Sequence, residues 1–350
     1  MVVDAVSRLM EGANGMAEFW NGLAGRRLSC IDMHTAGEPV RIVTAGIGLP
    51  EGGVLAMREF LGREADWMRR ALMLEPRGHD GMYGAVLVPS GDNTAAFGAV
   101  FMHNEGYSTM CGHAVIALGR YAVDSGLASS GDNFVIECPC GPVDVAVAPD
   151  GTVSFTSVPA FVVARDVPVR IDGFAPFRAD IAYGGAYYAI LPLERLGVAW
   201  GGLPPDELAR VGERITRALA AAVSLPGPAA LAFLYGTIFT DGTEDAAQVS
   251  ENICIFAGRQ IDRSPTGSGV TARMALRAAG GRARLGEIHR FRSITGGMFT
   301  AGLATAPAAD GSVRVIVSGR AHYMARAEFL IEDGDDIGRG FLISESGNNG

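Results

Sequence analysis

Two stretches of this chain share one pattern, and each reads as a glycine turn that opens a helix. The first is Met110-Cys111-Gly112-His113-Ala114-Val115-Ile116-Ala117-Leu118-Gly119-Arg120, and the second is Pro265-Thr266-Gly267-Ser268-Gly269-Val270-Thr271-Ala272-Arg273. They align without a gap at an offset of 155 residues, with Cys111 on Thr266, Gly112 on Gly267, His113 on Ser268, Val115 on Val270 and Ala117 on Ala272. Around each stretch the same order of elements repeats: strand, helix, strands, the helix at the glycine turn, then a meander. Self-similarity at a fixed offset points to an internal duplication. The expected fold is mixed α/β, with two pseudo-symmetric half-barrel domains, each wrapped on a central helix. Both helix mouths then meet at the interface, and clefts between domains are the usual home of a small-molecule site.

Periodicity fills in the elements. Residues 28–34 and 40–43 alternate on either side of a turn at 35–39, as in a hairpin. Residues 56–74 carry apolar side chains at helical spacing and read as one helix. Strands are expected at 82–89 and 95–103, before the Cys111 helix, and at 134–137, 143–147 and 153–158 after it. In the second half, strands are expected at 186–191, 230–240 and 253–256, and a helix at 205–223 starts on Pro204-Pro205-Asp206. The Thr266 helix runs to about Ala279, followed by strands at 288–294, 299–304 and 313–317. Residues 159–180 show no period, and the crossover falls there. A last strand, 325–331, returns to the first half. The expected domains are therefore 27–165 plus 325–350, and 166–324. Residues 1–26 form an N-terminal extension, either a short helix outside the fold or a flexible tail.

The net charge of −9 argues against nucleic acid as a partner, since a phosphate backbone wants a basic surface. No apolar run reaches about 18 residues, so no membrane helix is expected. The start lacks a basic region followed by an apolar core, so no secretory signal is expected either. Five cysteines, Cys30, Cys111, Cys138, Cys140 and Cys254, are odd in number and irregularly spaced. That is no disulfide framework, and it fits a reducing cytoplasm. Cys138-Pro139-Cys140 has no partner pair at zinc spacing. Neither a Walker motif nor a convincing dinucleotide fingerprint occurs, and no cofactor or metal is called for. The expected partner is a small-molecule substrate, and a homodimer is left open.

Chemistry concentrates at the first helix mouth. Unpaired N–H groups and the positive end of the helix dipole lie there. A thiol at Cys111 is expected to have a depressed pKa and to act as base or nucleophile near neutral pH. The N–H groups of Gly112 and His113 make a cradle suited to a carboxylate. The plainer alternative for Cys111, a buried structural thiol, is the commonest state of a free cysteine.

Four motifs then carry a family resemblance: His34-Thr35-Ala36-Gly37-Glu38-Pro39, Arg77-Gly78-His79-Asp80-Gly81-Met82, Met110-Cys111-Gly112-His113 and Asp262-Arg263-Ser264-Pro265-Thr266-Gly267-Ser268-Gly269. Together, in this order, the set resembles the signatures of the proline racemase family, over nearly the whole chain from about Leu28. The resemblance implies the diaminopimelate-epimerase-like fold. In racemases and hydroxyproline epimerases of that family, a cysteine at each mouth serves as one of two bases. Here Thr266 stands at the second mouth, and a hydroxyl has no accessible counterpart of a thiolate. The cysteine/threonine pair is similar to the branch that dehydrates trans-3-hydroxy-L-proline.

On that reading, Gly112, His113, Gly267 and Ser268 bind the substrate carboxylate and spread the developing charge. Asp262 is placed by the motif to pair with the ring nitrogen, and His113 is a second candidate for that contact. A helix-capping or surface carboxylate is the plainer reading of Asp262. Cys111 removes the Cα proton as general base. Water then leaves from C3, and the enamine tautomerises to 1-pyrroline-2-carboxylate. Thr266 either hydrogen-bonds the departing hydroxyl or holds an ordered water, and it doubles as an N-cap. His34, Glu38, Arg77 and His79 are read as loop braces, and His103, His289 and His322 as ordinary histidines.

Two rival functions remain. A 4-hydroxyproline epimerase or proline racemase lacks its second thiol here. A catalytically silent amino-acid-binding protein sits poorly with intact Cys111, Gly112, His113 and Asp262. A cysteine hydrolase fails because Cys111 and His113, two apart at a helix start, are not expected to face each other.

Overall fold

A computed structural model describes residues 20–91 and 94–343. The expectations for residues 1–19 and 344–350 lie outside this range. The chain opens with β1 (Arg26–Thr35) and β2 (Glu38–Ala45), an antiparallel hairpin. Two helices follow, α1 (Val54–Arg63) and α2 (Asp66–Met73). The sequence reads them as one. They separate at Glu64 and Ala65, where the Glu64 N–H closes the first helix on Phe60 and Asp66 starts a new first turn, paired with Arg69 at 2.6 Å.

Next come β3 (Tyr83–Val88), β4 (Phe97–His103), the short β5 (Tyr107–Ser108) and α3 (Gly112–Asp124). The meander β6 (Phe134–Cys138), β7 (Gly141–Val147) and β8 (Val153–Thr156) ends the first half. The segment without a period holds β9 (Phe161–Val169) and β10 (Phe177–Tyr183), an antiparallel pair. β9 lacks an alternating pattern because most of its residues are only partly buried on either face. Then follow β11 (Tyr187–Pro192), α4 (Pro205–Ala222), β12 (Leu234–Thr240), β13 (Val249–Phe256) and the three-residue β14 (Gln260–Asp262). The chain continues with α5 (Gly267–Ala279), β15 (His289–Arg292), β16 (Met298–Leu303), β17 (Val315–Gly319) and β18 (Ala321–Ile331).

The pairing scheme repeats. β2 runs parallel to β3 across α1 and α2, and β11 runs parallel to β12 across α4. β4 runs parallel to β6 across α3, and β13 runs parallel to β15 across α5. Each half also gives away one strand. β9 follows the first meander and pairs with β10, whereas β18 follows the second and pairs with β1. The two halves are therefore tied by exchanged strands as well as by β8 against β17.

α3 is apolar almost all round and nine of its thirteen residues are buried, as expected of a helix inside a barrel. Gly119 lets it close on β7 and β8, since a methyl there would meet Val153 at 2.7 Å and Val145 at 2.9 Å. α5 is buried in the same way. The mouths of α3 and α5 touch, backbone to backbone: a Cβ on Gly112 would lie 2.5 Å from the Gly267 Cα, and one on Gly267 would lie 2.7 Å from the Gly112 Cα. Backbone cannot step aside as a flexible side chain can. Gly112→Ala is expected to cost about 1–3 kcal/mol of unfolding free energy in urea melts. Unchanged stability would show that the mouths are not held against each other.

Candidate active site

Around the paired mouths lies a cavity of about 10 Å³ lined by Tyr83, Met110, Cys111, Gly112, His113, Tyr188, Tyr235, Phe256, Asp262, Thr266, Gly267 and Ser268. All seven residues singled out from the sequence are in this set. The volume is about that of one water. The closed arrangement is held by bonds between halves. The Gln260 side-chain amide donates to Asn104 at 2.7 Å, Thr109 donates to the Gly185 carbonyl at 2.8 Å, and Thr295 donates to the Ala36 carbonyl at 3.0 Å.

Cys111 caps α3 with an extended backbone, φ −145° and ψ 106°. It is buried, and loss of solvation pushes its thiol well above the usual cysteine range. The sequence-based expectation of a depressed pKa is thus reversed in the closed state. Hydrogen bonds to the sulfur from the Ala114 amide and the Tyr83 hydroxyl pull the other way but do not win. The His113 Nδ1 lies 3.1 Å from the Cys111 sulfur, so the two side chains do face each other. The helical spacing rule fails here because Cys111 is outside the helix and its extended backbone swings the sulfur over the first turn. Burial lowers the His113 pKa to about 3, and a ring N–H bonds the Pro39 carbonyl. A cysteine hydrolase is still disfavoured, now because this imidazole is a poor general base.

On the other mouth, Thr266 precedes α5 with φ 64°, a rare backbone conformation for a β-branched residue. Its hydroxyl does not cap the helix. It donates instead to Asp262 Oδ2 at 2.8 Å. Asp262 Oδ1 accepts the Ser264 N–H at 2.7 Å, and burial raises the Asp262 pKa to about 6. Asp262 is therefore neither a surface group nor a cap. Ser268 shares a hydrogen bond of 2.8 Å with Tyr188.

Sequence reasoning missed several neighbours. Tyr83, Tyr188, Tyr235 and Phe256 wall the cavity, with Tyr235 stacked on Phe256 at 5.5 Å and Tyr83 edge-on to His113 at 4.8 Å. Cys254, read as structural, is a hydrogen-bond partner of the Thr266 hydroxyl. Glu38 is fully buried and accepts the Arg263 N–H at 2.7 Å across the interface, while its Oε1 has no partner among the described residues. Burial and Asp262 push its pKa well up. Arg77 does act as a brace, donating to the Leu330 carbonyl at 2.9 Å and the Gly338 carbonyl at 2.6 Å. No group of three or more metal-ligating side chains occurs among the described residues, and no helix there is long and apolar enough to cross a membrane.

The family model described as proline racemase matches residues 30–342. The chain belongs to the proline racemase family. A Xenopus tropicalis protein named trans-L-3-hydroxyproline dehydratase is 46% identical over 335 residues, covering 91% of this chain and 96% of the relative. The human trans-3-hydroxy-L-proline dehydratase is 47% identical, covering 90% and 94%. A Colwellia psychrerythraea protein of the same name is 40% identical over 328 residues, covering 90% of this chain and 92% of the relative. Among solved structures, a hydroxyproline epimerase from Agrobacterium vitis with bound trans-4-hydroxy-L-proline superposes with a TM-score of 0.82 at 24% identity, covering 91% and 96%. That likeness establishes the fold. A PhzF-family protein from Bacillus anthracis shares it more distantly, with a TM-score of 0.57, 14% identity and coverage of 88% and 100%.

The raised pKa of Asp262 has a stability consequence. Folding tightens its hold on a proton, so its contribution is fully present below the unfolded value near 3.8 and is lost as pH rises through about 6. The loss approaches about 3 kcal/mol, from roughly two pKa units at 1.4 kcal/mol each. Urea melts of the wild type relative to Asp262→Asn are expected to show this falling difference between pH 4 and pH 7. A flat difference would place Asp262 in water instead.

Proposed function

We propose that this chain dehydrates trans-3-hydroxy-L-proline to 1-pyrroline-2-carboxylate and water. One observation carries the reading: a thiol at one helix mouth faces a hydroxyl, not a second thiol, at the other. The activity named for the frog, human and Colwellia relatives supports it.

The substrate carboxylate takes the N–H groups of Gly112, His113, Gly267 and Ser268, where two helix dipoles converge. The ring nitrogen, as an ammonium, pairs with Asp262. Its positive charge beside the Cys111 sulfur offsets the desolvation that disfavours the thiolate. Cys111 then removes the Cα proton. The electron pair forms the C2–C3 double bond, and the C3–O bond breaks as the hydroxyl, which in the trans isomer lies on the same ring face as the Cα proton, takes that proton from the Cys111 thiol and leaves as water, returning Cys111 to the thiolate. The enamine takes a proton at C3 and gives one up from the ring nitrogen, becoming the cyclic imine. Thr266, its own proton held on Asp262, offers a lone pair that orients the C3 hydroxyl or an ordered water. Every step uses this chain's residues and no cofactor. We place the reaction in two lobes, 27–165 with 325–350 and 166–324, and in a reducing compartment such as the cytoplasm, where five free thiols persist.

Incubation with trans-3-hydroxy-L-proline and o-aminobenzaldehyde is expected to trap the imine. Cys111→Ser should lower kcat by about 10²–10⁴-fold. Thr266→Cys should lose dehydration and gain epimerisation of trans-4-hydroxy-L-proline by polarimetry. Epimerisation by the wild type, with no imine from the 3-hydroxy substrate, would replace this reading with the epimerase one.

A further inference from the structure

Away from the helix mouths, a second cavity of about 320 Å³ is lined by five arginines, Arg165, Arg195, Arg273, Arg277 and Arg282. Three acids also line it. Arg195 faces two of these, Asp166 and Asp180, each at 3.6 Å, and Arg282 pairs with the third, Glu244. Arg165, Arg273 and Arg277 make no ion pair among the described residues; Asp241 acts on both Arg273 and Arg277, and Asp245 on Arg277, only at longer range. Arg273 and Arg277 are 4% and 3% exposed, so their charges are held where water cannot screen them. Their hydrogen bonds go to neutral groups. Arg273 reaches Asn252 at 2.8 Å and Ser250, and Arg277 reaches His289 at 2.6 Å and the Thr243 carbonyl at 2.7 Å. Both guanidinium groups stack on Phe291, at 4.8 and 4.9 Å. Stacking fixes them in position without supplying an anion.

We propose that this cavity is a binding site for a phosphate-class oxyanion, held by the forked N–H groups of Arg165, Arg273 and Arg277. Buried cations are ordinarily paired, and a guanidinium fork matches a tetrahedral oxyanion. The site is joined to the catalytic one through a short buried path. Asn252, which accepts from Arg273, donates through its Nδ2 to the Pro265 carbonyl at 3.1 Å, and Pro265 leads directly into Thr266. Arg273 and Arg277 also lie on α5, the helix whose mouth carries Gly267 and Ser268.

The test is thermal denaturation and calorimetric titration of the full chain with inorganic phosphate, against chloride at equal ionic strength. Phosphate up to about 50 mM is expected to raise Tm in a saturable way, and chloride is not. Arg277→Gln should weaken phosphate binding about tenfold or more. Arg165→Gln, at the exposed rim where Arg165 loses only one surface hydrogen bond, to the Leu276 carbonyl at 3.1 Å, should do the same even if the Arg277 variant folds poorly. No saturable stabilisation, an equal effect of chloride, or binding that both variants leave unchanged would overturn the site.

Discussion

The contact between Gly112 and Gly267 sets the rest of the structure. With a Cβ on either residue the two backbones clash, so only glycine lets the mouths of α3 and α5 meet. Once they meet, two sets of unpaired N–H groups and two positive dipole ends point into one small space. That space suits an anionic group, and the residues immediately before the two glycines, Cys111 and Thr266, line the same cavity. The exchange of β9 and β18 between halves keeps this alignment, because each half completes its barrel with a strand from the other.

Bringing the mouths together also removes water, and desolvation then dominates the electrostatics. It pushes the Cys111 thiol and the Glu38 carboxyl up, raises Asp262 to about 6 and drops His113 to about 3. Cys111, Glu38 and His113 are thereby kept neutral while the site is closed without a charged substrate, whereas Asp262 ionises as pH rises through about 6. In the mechanism we propose, a substrate that carries both a carboxylate and an ammonium changes that balance at once, its two charges falling beside the amides and beside Asp262 and Cys111. Closure and activation are in this sense one event.

Much of this was legible in the sequence because it is local. A glycine turn before an apolar run marks a buried helix, and the two runs are collinear, so Cys111, Gly112, His113, Thr266, Gly267 and Ser268 stand out in the sequence, and the resemblance to the proline racemase motifs adds Asp262. What escaped depends on tertiary context. β9 has no alternation because most of its residues are only partly buried, and α1 and α2 look continuous because their apolar spacing carries across the break at Ala65. The Cys111 pKa was inferred from the dipole alone, without the burial that outweighs it. The Cys111–His113 contact needs the extended backbone at Cys111, which no helical spacing rule contains. Tyr83, Tyr188 and Tyr235 come from three separate strands and share no motif.

The central claim is that one mouth holds a base and the other does not. L-Proline tests it directly, because it has the Cα proton but no hydroxyl to lose. Incubated with the enzyme in deuterated water and followed by NMR and chiral chromatography, L-proline should acquire deuterium at Cα and remain L. Accumulation of deuterated D-proline, or no exchange at all, would contradict a single base at Cys111.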